Sequence, residues 1–264
     1  MPYLPPVRQC YSLRKAQKDY TGDIGIVKRM SDDATLTVGF NSNNELDTDA
    51  VDAFDDGSDL RMIEWYNQGI VTNIVSVTNP NDDLLCALLK RNGDYFFLNG
   101  KKTLYFEAGG RMWHNVQDNT AQRQNIGIVY AGTTDQWLVG LSTLDSFRSV
   151  TTALRFFDNK NRSYKFMAAS GTEFQEHSEF IPFNQQQISL GYYRDVRYQS
   201  VNGIIETSPL EIFLGSDANN FTTINSFRPR NAGGESYIQE VFIRFDANFR
   251  PDLVEEANKY YKTF

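Results

Sequence analysis

The chain has 264 residues, of which 41% are apolar and 14% aromatic, and its formal net charge is −7. This length suits one all-β sandwich or barrel, and the surplus of Phe and Tyr favours strands over helices. The acidic balance argues against nucleic-acid binding, which normally needs a basic face. The two cysteines, Cys10 and Cys86, are too few for a disulfide framework, so we favour free thiols over a pair.

The N-terminal segment predicts an arm followed by a single domain. Residues 1–9 contain three prolines and no continuous apolar stretch, so we expect an extended arm and no secretory signal. We assign residues 10–264 to one domain, since no linker, internal repeat or low-complexity tract divides them. No segment is long and apolar enough for a membrane span, which needs about 18 apolar residues.

The first elements of the domain are predicted to be a short helix and two strands. The helix is placed near residues 11–18, and strands over 24–30 and 35–40 flank a turn at residues 31–34. In the second strand Leu36 and Val38 alternate with threonines, which is typical of a half-buried strand. A second short helix is predicted over residues 47–54, where Asp47 or Thr48 can cap the first turn.

The middle of the chain consists of short apolar segments punctuated by Gly, Asn and Asp. This spacing predicts an all-β fold, specifically an antiparallel β-sandwich. Three sets of alternating residues are each predicted to share one face of a strand: Ile188, Leu190 and Tyr192; Leu210, Ile212 and Leu214; and Val241, Ile243 and Phe245.

The final segment changes from strand to helix periodicity. Apolar residues recur at helical spacing after Pro251, which suits the first helical position. Asp252 and Glu255 come early and Lys259 comes late, which matches the helix dipole. We predict a C-terminal helix over residues 251–262 that packs on the sandwich.

Motif searches assign no catalytic residue and no metal ligand. The histidines are His114 and His177, neither lies in a recognisable nucleophile motif, and neither a phosphate-binding loop nor a dinucleotide fingerprint is present. A calcium-binding EF-hand loop starting at Asp52 fails, because Phe54 and Ile63 occupy ligand positions. No cofactor is expected; a structural calcium ion on the acidic loop of Asp55, Asp56 and Asp59 is a weaker alternative to a solvated turn.

Carboxylates are too numerous to single out a glycosidase pair, which needs a separation of about 5 to 9.5 Å. Four glutamates fall in or near predicted strands, where a Glu usually lies on the solvent face: Glu64, Glu206, Glu211 and Glu240.

Aromatic residues supply the candidates for stacking on sugar rings. Core filling is favoured for Trp65 and Trp137, whereas the two roles are evenly balanced for Trp113. The candidate contact residues for a carbohydrate or a partner are Trp113, His114, Tyr192, Tyr193 and Tyr198.

The stretches "SLRKAQKDYTGDIGIVKRMSDDATLTVGF", "ELDTDAVDAF" and "IEWYNQG", within residues 12–69, share a pattern with a known module. They resemble the concanavalin A-like (laminin-G-like) jelly-roll module of tailed-bacteriophage virion proteins. The module is also similar to the N-terminal module of fungal-type α-L-arabinofuranosidases. Its approximate pattern is "R…YxGxxxxVRRxSDxxxxDIGF…LDxxAxxAF…xxWYDQSG". The matching positions are Tyr20, Gly22, Val27, Lys28, Arg29, Ser31, Asp32, Gly39, Phe40, Leu46, Asp47, Ala50, Ala53, Phe54, Trp65, Tyr66 and Gln68.

The resemblance continues weakly beyond residue 69 and has two departures. Residues 98–110 look like a further strand of the module, and the C-terminal strand and helix are similar to its closing elements, whereas residues 120–235 match only as generic sandwich strands. The Asp that follows Trp-Tyr in the module is Asn67 here, and its Ser is Gly69. The resemblance implies that Trp65 belongs to a core strand, with Tyr66 and Gln68 hydrogen-bonded near its exit turn.

The resemblance implies a non-enzymatic bacteriophage virion structural protein, such as a tail, fibre or capsid-decoration component. It would use a lectin-like sandwich for assembly contacts, host-surface attachment or both. We therefore expect other virion proteins and host glycans as partners, an oligomeric or multi-protein assembly, and synthesis in the host cytoplasm. The alternatives are a carbohydrate-binding module and, less favoured, a glycoside hydrolase of arabinofuranosidase type.

Overall fold

The computed structural model describes residues 2–71, 76–79, 81–114, 124–134, 136–142, 151–157, 160–167, 171–178, 182–193, 196–209, 221–225, 234–246 and 248–264. In this part the chain forms an antiparallel β-sandwich with two α-helices, which confirms the predicted fold class. No helix among these residues is long and apolar enough to cross a membrane. The predicted face formed by Leu210, Ile212 and Leu214 lies outside the described residues.

The described elements follow one another along the chain as short strands. In the first half the strands are β1 (Gln9–Ser12), β2 (Gly25–Arg29), β3 (Thr35–Val38), β4 (Leu60–Tyr66), β5 (Ser76–Thr78), β6 (Ala87–Arg91), β7 (Asp94–Tyr95), β8 (Phe97–Leu98), β9 (Lys101–Lys102), β10 (Leu104–Phe106) and β11 (Met112–Trp113). In the second half they are β12 (Gln124–Gly132), β13 (Gln136–Ser142), β14 (Thr151–Phe157), β15 (Lys160–Met167), β16 (Gly171–Glu176), β17 (Gln187–Tyr193), β18 (Val196–Val201), β19 (Ile204–Pro209), β20 (Phe221–Ile224) and β21 (Ser236–Phe245). The helices are α1 (Thr48–Phe54) and α2 (Asp252–Tyr261), with a 3-10 turn at Asp83–Leu85.

The strands form two antiparallel ladders. The first ladder has the order β19-β18-β17-β12-β21, and β1 and β10 share the far edge of β21. The second ladder runs β3-β2-β4, continues through β5, β11, β20 and β13, and ends β14-β15-β16. Strand β6 pairs with both β4 and β10 and therefore joins the ladders. The short hairpin β8–β9 stands apart from both.

The main apolar core lies between the two ladders. Ile126, Ile128 and Val241 contribute from the first ladder, and Val27 and Trp65 contribute from the second. Trp65 is fully buried and its ring lies 6.0 Å from that of a core tyrosine, so the predicted core role of Trp65 is confirmed. Burial of alternate residues from both ladders in one cluster is what holds a β-sandwich together.

Helix α2 covers the outer face of the first ladder. A second apolar cluster joins the ladder to the helix and to the N-terminal segment, and it comprises Leu4, Val7, Cys10, Ala16, Val129, Ile188, Leu190, Phe242, Leu253, Val254, Ala257 and Tyr261. The helix spans Asp252–Tyr261, which confirms the predicted C-terminal helix. The first ladder is therefore buried on both faces along part of its length.

The prediction of a helix near residues 11–18 is wrong. Residues Gln9–Ser12 form β1, which pairs with β21, and residues 13–18 form no helix. All four residues of β1 are buried because Tyr11 faces the main core while Cys10 faces the cluster under α2. A strand buried on both faces lacks the alternation of polar and apolar residues that marks a strand in sequence.

Helix α1 and the β2–β3 hairpin follow their predictions. Helix α1 spans Thr48–Phe54, and the Asp47 side chain caps it by accepting a hydrogen bond from the Ala50 amide at 3.2 Å. In β3 Val38 is buried, whereas Thr35 and Thr37 are exposed. Both elements are determined by local sequence signals, namely a capping carboxylate and a two-residue period.

The N-terminal segment, residues 2–8, packs against the sandwich without forming helix or strand. Leu4 and Val7 are buried, the Leu4 amide donates to the Ala16 carbonyl at 2.8 Å, and the Arg8 amide donates to the Ile243 carbonyl at 2.8 Å. The boundary between arm and domain stays a prediction. Cys10 and Cys86 lie in the two separate apolar clusters and are both free thiols.

Candidate functional site

The residues that carry the module resemblance are structural in the described fold. The Arg29 guanidinium donates to both Asp32 oxygens and to the Phe54 carbonyl, and it lies 4.7 Å from the Phe54 ring. These contacts tie the β2–β3 hairpin to the end of α1. The Gln68 amide group accepts from the Ala16 amide and donates to the Ser12 and Arg14 carbonyls, at 2.9, 2.9 and 3.0 Å. The side chain of Gln68 is thus occupied by backbone groups near the exit turn of β4.

The two departures from the module are also explained by backbone packing. Asn67 Oδ1 accepts from the amides of Cys10 and Gly69, both at 2.8 Å, and Asn67 Nδ2 donates to the Val71 carbonyl at 3.1 Å. Gly69 lies directly against the N-terminal segment, since a Cβ at this position would come within 2.2 Å of the Arg8 carbonyl oxygen. Both residues therefore hold the segment leading into β1 against the end of β4.

Each carboxylate of the acidic loop has its own partner. Asp55 forms an ion pair with Lys90, and Asp59 accepts from the Asn92 amide at 3.0 Å. Hydrogen bonds from Ser58 and Ser31 lower the pKa of Asp56 to about 2. Within the described ranges no group of three His, Cys, Asp or Glu side chains is arranged to hold a metal ion. The alternative of a structural calcium ion on this loop stays a prediction.

The five residues predicted for carbohydrate or partner contact lie on two different ladders. Trp113 in β11 is 5% exposed and His114 is 2% exposed, so both are buried. Tyr198 in β18 is half-buried and stacks on Phe249, with centroids 5.0 Å apart and ring planes at 15°. Tyr192 lies directly opposite Tyr198 in the backbone register, but the side chains of Tyr192 and Tyr193 are outside the described part of the chain. A contact role for these residues stays a prediction.

A different group of rings forms the most extensive aromatic surface among the described contacts. This aromatic surface consists of Phe96, Tyr105 and Tyr237, all half-buried. The Phe96 and Tyr105 rings stack with centroids 4.9 Å apart and planes at 27°, and Tyr105 and Tyr237 lie 5.0 Å apart at 39°. Phe96 and Tyr237 are 6.2 Å apart, so the three rings contact one another in one patch.

Strand register places the aromatic surface on the outer face of the first ladder. In β10 the core residues Leu104 and Phe106 alternate with Tyr105, which therefore points away from the core. In β21 the core residue Ile238 follows Tyr237, and Tyr237 lies directly opposite Tyr105. Phe96 is held close by because the Thr103 amide donates to its carbonyl at 3.1 Å.

Charged groups border the aromatic surface. The Arg91 guanidinium lies 5.5 Å from the Tyr105 ring centre and 5.8 Å from that of Phe96, and it forms an ion pair with Glu107. Glu107 also pairs with Arg61. Burial, followed by the negative charge of Glu235, raises the pKa of Tyr105. The Tyr105 hydroxyl therefore stays protonated and can both donate and accept a hydrogen bond at neutral pH.

This arrangement combines the two features by which proteins hold sugars. Ring faces offer an apolar platform to the C–H face of a sugar ring, and the neighbouring guanidinium and carboxylate groups can exchange hydrogen bonds with its hydroxyl groups. The alternation of Leu104, Tyr105 and Phe106 already marks Tyr105 as the outward residue in sequence. Its pairing with Tyr237 is long-range and carries no local signal.

Comparisons with known proteins support the fold. No family model and no curated protein matches the chain. An arabinofuranosidase solved with arabinofuranosyl-α-1,2-xylobiose has a TM-score of 0.66 and 11% identity, over 98% of this chain and 62% of that one. A GH54 α-L-arabinofuranosidase soaked with a cyclic sulfate inhibitor has a TM-score of 0.64 and 12% identity, over 98% and 62% of the two chains.

The chain thus spans about three-fifths of the length of these arabinofuranosidases. Domains LG4-5 of the mouse laminin α1 chain also match, with a TM-score of 0.41 and 9% identity over 49% of this chain and 37% of that one. At such identities the arabinofuranosidase likeness shows the fold alone, in agreement with the antiparallel β-sandwich described above.

Proposed function

We propose that the chain is a non-catalytic, lectin-like contact module of a bacteriophage virion that binds glycan chains through the aromatic surface. Its partners are neighbouring virion proteins and host-surface carbohydrate, and it is made and assembled in the host cytoplasm. The observation that carries the glycan role is the stack of three half-buried rings, Phe96, Tyr105 and Tyr237, beside the Arg91–Glu107 ion pair.

The half-buried patch of three adjacent rings favours binding along a chain over enclosure of a small molecule. Phe96, Tyr105 and Tyr237 come from a loop and two strands that the sheet register holds in place. Such rings lose little conformational freedom on binding, since each has few rotatable bonds. We therefore expect weak, multivalent attachment, in which many copies on one particle add avidity.

The virion role is supported by the resemblance of residues 12–69 to a phage module. In this region the matching residues form the hairpin, the capped helix and the buried Trp65, so the resemblance concerns the scaffold. The similar fold of the arabinofuranosidases supports the same scaffold. Proteomic mass spectrometry of purified particles tests the role: the chain should be present in intact virions, and its absence from them would contradict the proposal.

A glycan array, followed by a turnover assay on each bound glycan, tests the binding role. We expect wild-type protein to bind a set of oligosaccharides at millimolar sensitivity and to leave them intact. Tyr105→Ala should bind these oligosaccharides about 5- to 10-fold more weakly, whereas Phe264→Ala, which changes an exposed ring outside the aromatic surface, should bind them like wild type. Absence of any bound glycan would refute the glycan role, and cleavage of a bound glycan would instead favour the hydrolase alternative.

A further inference from the structure

A small polar cavity is lined in part by the β8–β9 hairpin. Its volume is about 190 Å³, and four segments line it: residues 13–14, residues 41–48, residues 100–102 and the end of α2 at Tyr260 and Tyr261. This space suits a ligand on the scale of one small ring.

Glu45 is the central charged group of this cavity. One oxygen, Oε1, accepts a hydrogen bond from the Tyr260 hydroxyl at 2.7 Å and from Lys101 Nζ at 3.1 Å. These two hydrogen bonds and the nearby lysines outweigh burial and lower the pKa of Glu45. Glu45 is therefore ionised at neutral pH, and it is fixed in position by two neighbours that share a single oxygen.

Several polar groups of the cavity have unused hydrogen-bonding capacity. Glu45 Oε2 and the Thr48 hydroxyl make no hydrogen bond to any described residue, and Lys101 Nζ uses one of its three donors. Arg14, by contrast, is satisfied, since it is paired with Glu240 and bonded to the Pro2 carbonyl. With respect to the described residues, the cavity therefore presents a free acceptor and a free hydroxyl on residues 41–48 and donors on residues 100–102.

We propose that this cavity binds a single neutral sugar ring or a polyol of similar size. Charges of both signs line the cavity, negative at Glu45 and positive at Lys101 and Lys102, so an ion of either sign meets a like charge as well as an opposite one. A polyol instead matches the mixture of donors and acceptors, and its C–H groups can pack on Leu13 and Leu46. The proposal is independent of the aromatic surface, because no residue of that surface lines the cavity.

Saturation-transfer NMR with D-glucose, D-galactose, D-mannose, D-xylose and glycerol tests the proposal. We expect at least one of these probes to bind with millimolar affinity, which lies within reach of a site with few hydrogen bonds. Glu45→Gln and Thr48→Val should each weaken binding about 10-fold, since each removes part of one polar contact. Tyr105→Ala, in the separate aromatic surface, should leave it unchanged.

The two substitutions also guard against loss of folding. Thr48→Val keeps the shape of the side chain and leaves the hydrogen bonds of Glu45 in place. It therefore reports on the cavity even if Glu45→Gln weakens the contact between Glu45 and Lys101 of the β8–β9 hairpin. Thermal melts should show a folded Thr48→Val variant. The proposal is overturned if no neutral probe binds, if binding is insensitive to both substitutions, or if D-galacturonate binds more tightly than D-galactose.

Discussion

At the scale of single residues, amide side chains organise β1 and the segment that follows it. Asn67 and Gln68 follow the aromatic pair of β4 and satisfy backbone groups of the segment from Cys10 to Ala16. A buried backbone amide without a partner costs about 1–3 kcal/mol. These two side chains therefore account for the extended conformation of a segment whose own sequence suggested a helix.

Replacement of Asn67 tests this account. Asn67→Ala removes the acceptor shared by the Cys10 and Gly69 amides, and we expect the free energy of unfolding to fall by about 1–3 kcal/mol. Urea denaturation followed by tryptophan fluorescence measures the change. Asn43→Ala, at an exposed loop position, serves as control and should stay within about 0.5 kcal/mol of wild type. Equal free energies of unfolding for the two variants would show that the Asn67 side chain does not stabilise this segment.

Gly69 tests the close approach of the N-terminal segment. A side chain at this position meets the Arg8 carbonyl oxygen, which belongs to the backbone and cannot move aside cheaply. Gly69→Ser, which restores the residue of the resembled module, should destabilise the protein by about 1–3 kcal/mol as in other overpacked sites. Hydrogen exchange should also accelerate in residues 2–8. For Gly39→Ala, where the nearest atom is the end of the Asp23 side chain, we expect a smaller loss.

The two buried thiols should lower the stability of the folded protein at alkaline pH. Burial raises the pKa of Cys86 to about 12 from an ordinary value of 9.0, and burial also raises the pKa of Cys10. In the unfolded chain these thiols ionise at lower pH than in the native state. The native state therefore binds more protons between about pH 9 and pH 12, and stability must fall as the pH rises through this window.

Urea titrations at about pH 8 and about pH 10.5 measure this effect, which approaches ~1.4 kcal/mol per pH unit for one fully perturbed group. Cys86→Ala removes one titrating group, so its stability should decline less steeply with pH than that of wild type, whatever its stability at pH 8. Parallel slopes for the two proteins would show that the Cys86 thiol does not contribute.

At the scale of elements, a buried ion pair joins β1, β21 and α2. Arg14 is 1% exposed and Glu240 is 0% exposed, and Arg14 Nε lies 2.9 Å from a Glu240 oxygen. Ser12 donates to the same carboxylate at 2.8 Å, and the Tyr261 hydroxyl lies 3.3 Å from it. Each of the three elements thus contributes a group to one charge network beneath the helix.

Breaking this pair should be costly. Glu240→Gln leaves the Arg14 guanidinium buried without its counter-charge, and we expect a loss of about 3–5 kcal/mol in the free energy of unfolding. The paired change Arg14→Met with Glu240→Leu should cost less than the single change, because it removes both charges. Glu256→Gln, in a more exposed pair with Lys259, should cost no more than about 1 kcal/mol. A small loss for Glu240→Gln would argue against the network.

The elements that sequence predicted are those with local signals. The Asp47 cap, the alternation in β3 and the stripe of α2 each lie within one element, and each prediction is confirmed. Strand β1 was missed because its burial depends on β21, which is far away in sequence. Glu240 was expected on a solvent face and is buried, since its compensating charge, Arg14, comes from the other end of the chain.

The candidate site was only partly predictable for the same reason. Aromatic residues could be recognised as candidates for stacking, but Trp113 proved to be buried, and the fold assembles Phe96, Tyr105 and Tyr237 through strand pairing. Sequence alternation identifies which face of a strand a residue occupies. It does not identify the strand that lies next to it.

At the scale of the whole molecule, the first ladder serves two purposes. Its inner face closes the sandwich against the second ladder, and its outer face carries helix α2 at one end and the aromatic surface at the other. The helix leaves the rings of Phe96, Tyr105 and Tyr237 half-exposed. A packed scaffold that leaves these three rings half-exposed is the basis of the proposed glycan-contact role.

Isothermal titration with the best-bound oligosaccharide of the glycan array tests this central claim most directly. Loss of one stacking ring should reduce the free energy of binding by about 1 kcal/mol or more. Tyr105→Ala and Tyr237→Ala should therefore each weaken binding about 5- to 10-fold. Tyr198→Ala, which changes the ring predicted from sequence and stacked on Phe249, should bind like wild type. Undiminished affinity of Tyr105→Ala and Tyr237→Ala, or loss of binding only in Tyr198→Ala, would contradict the account.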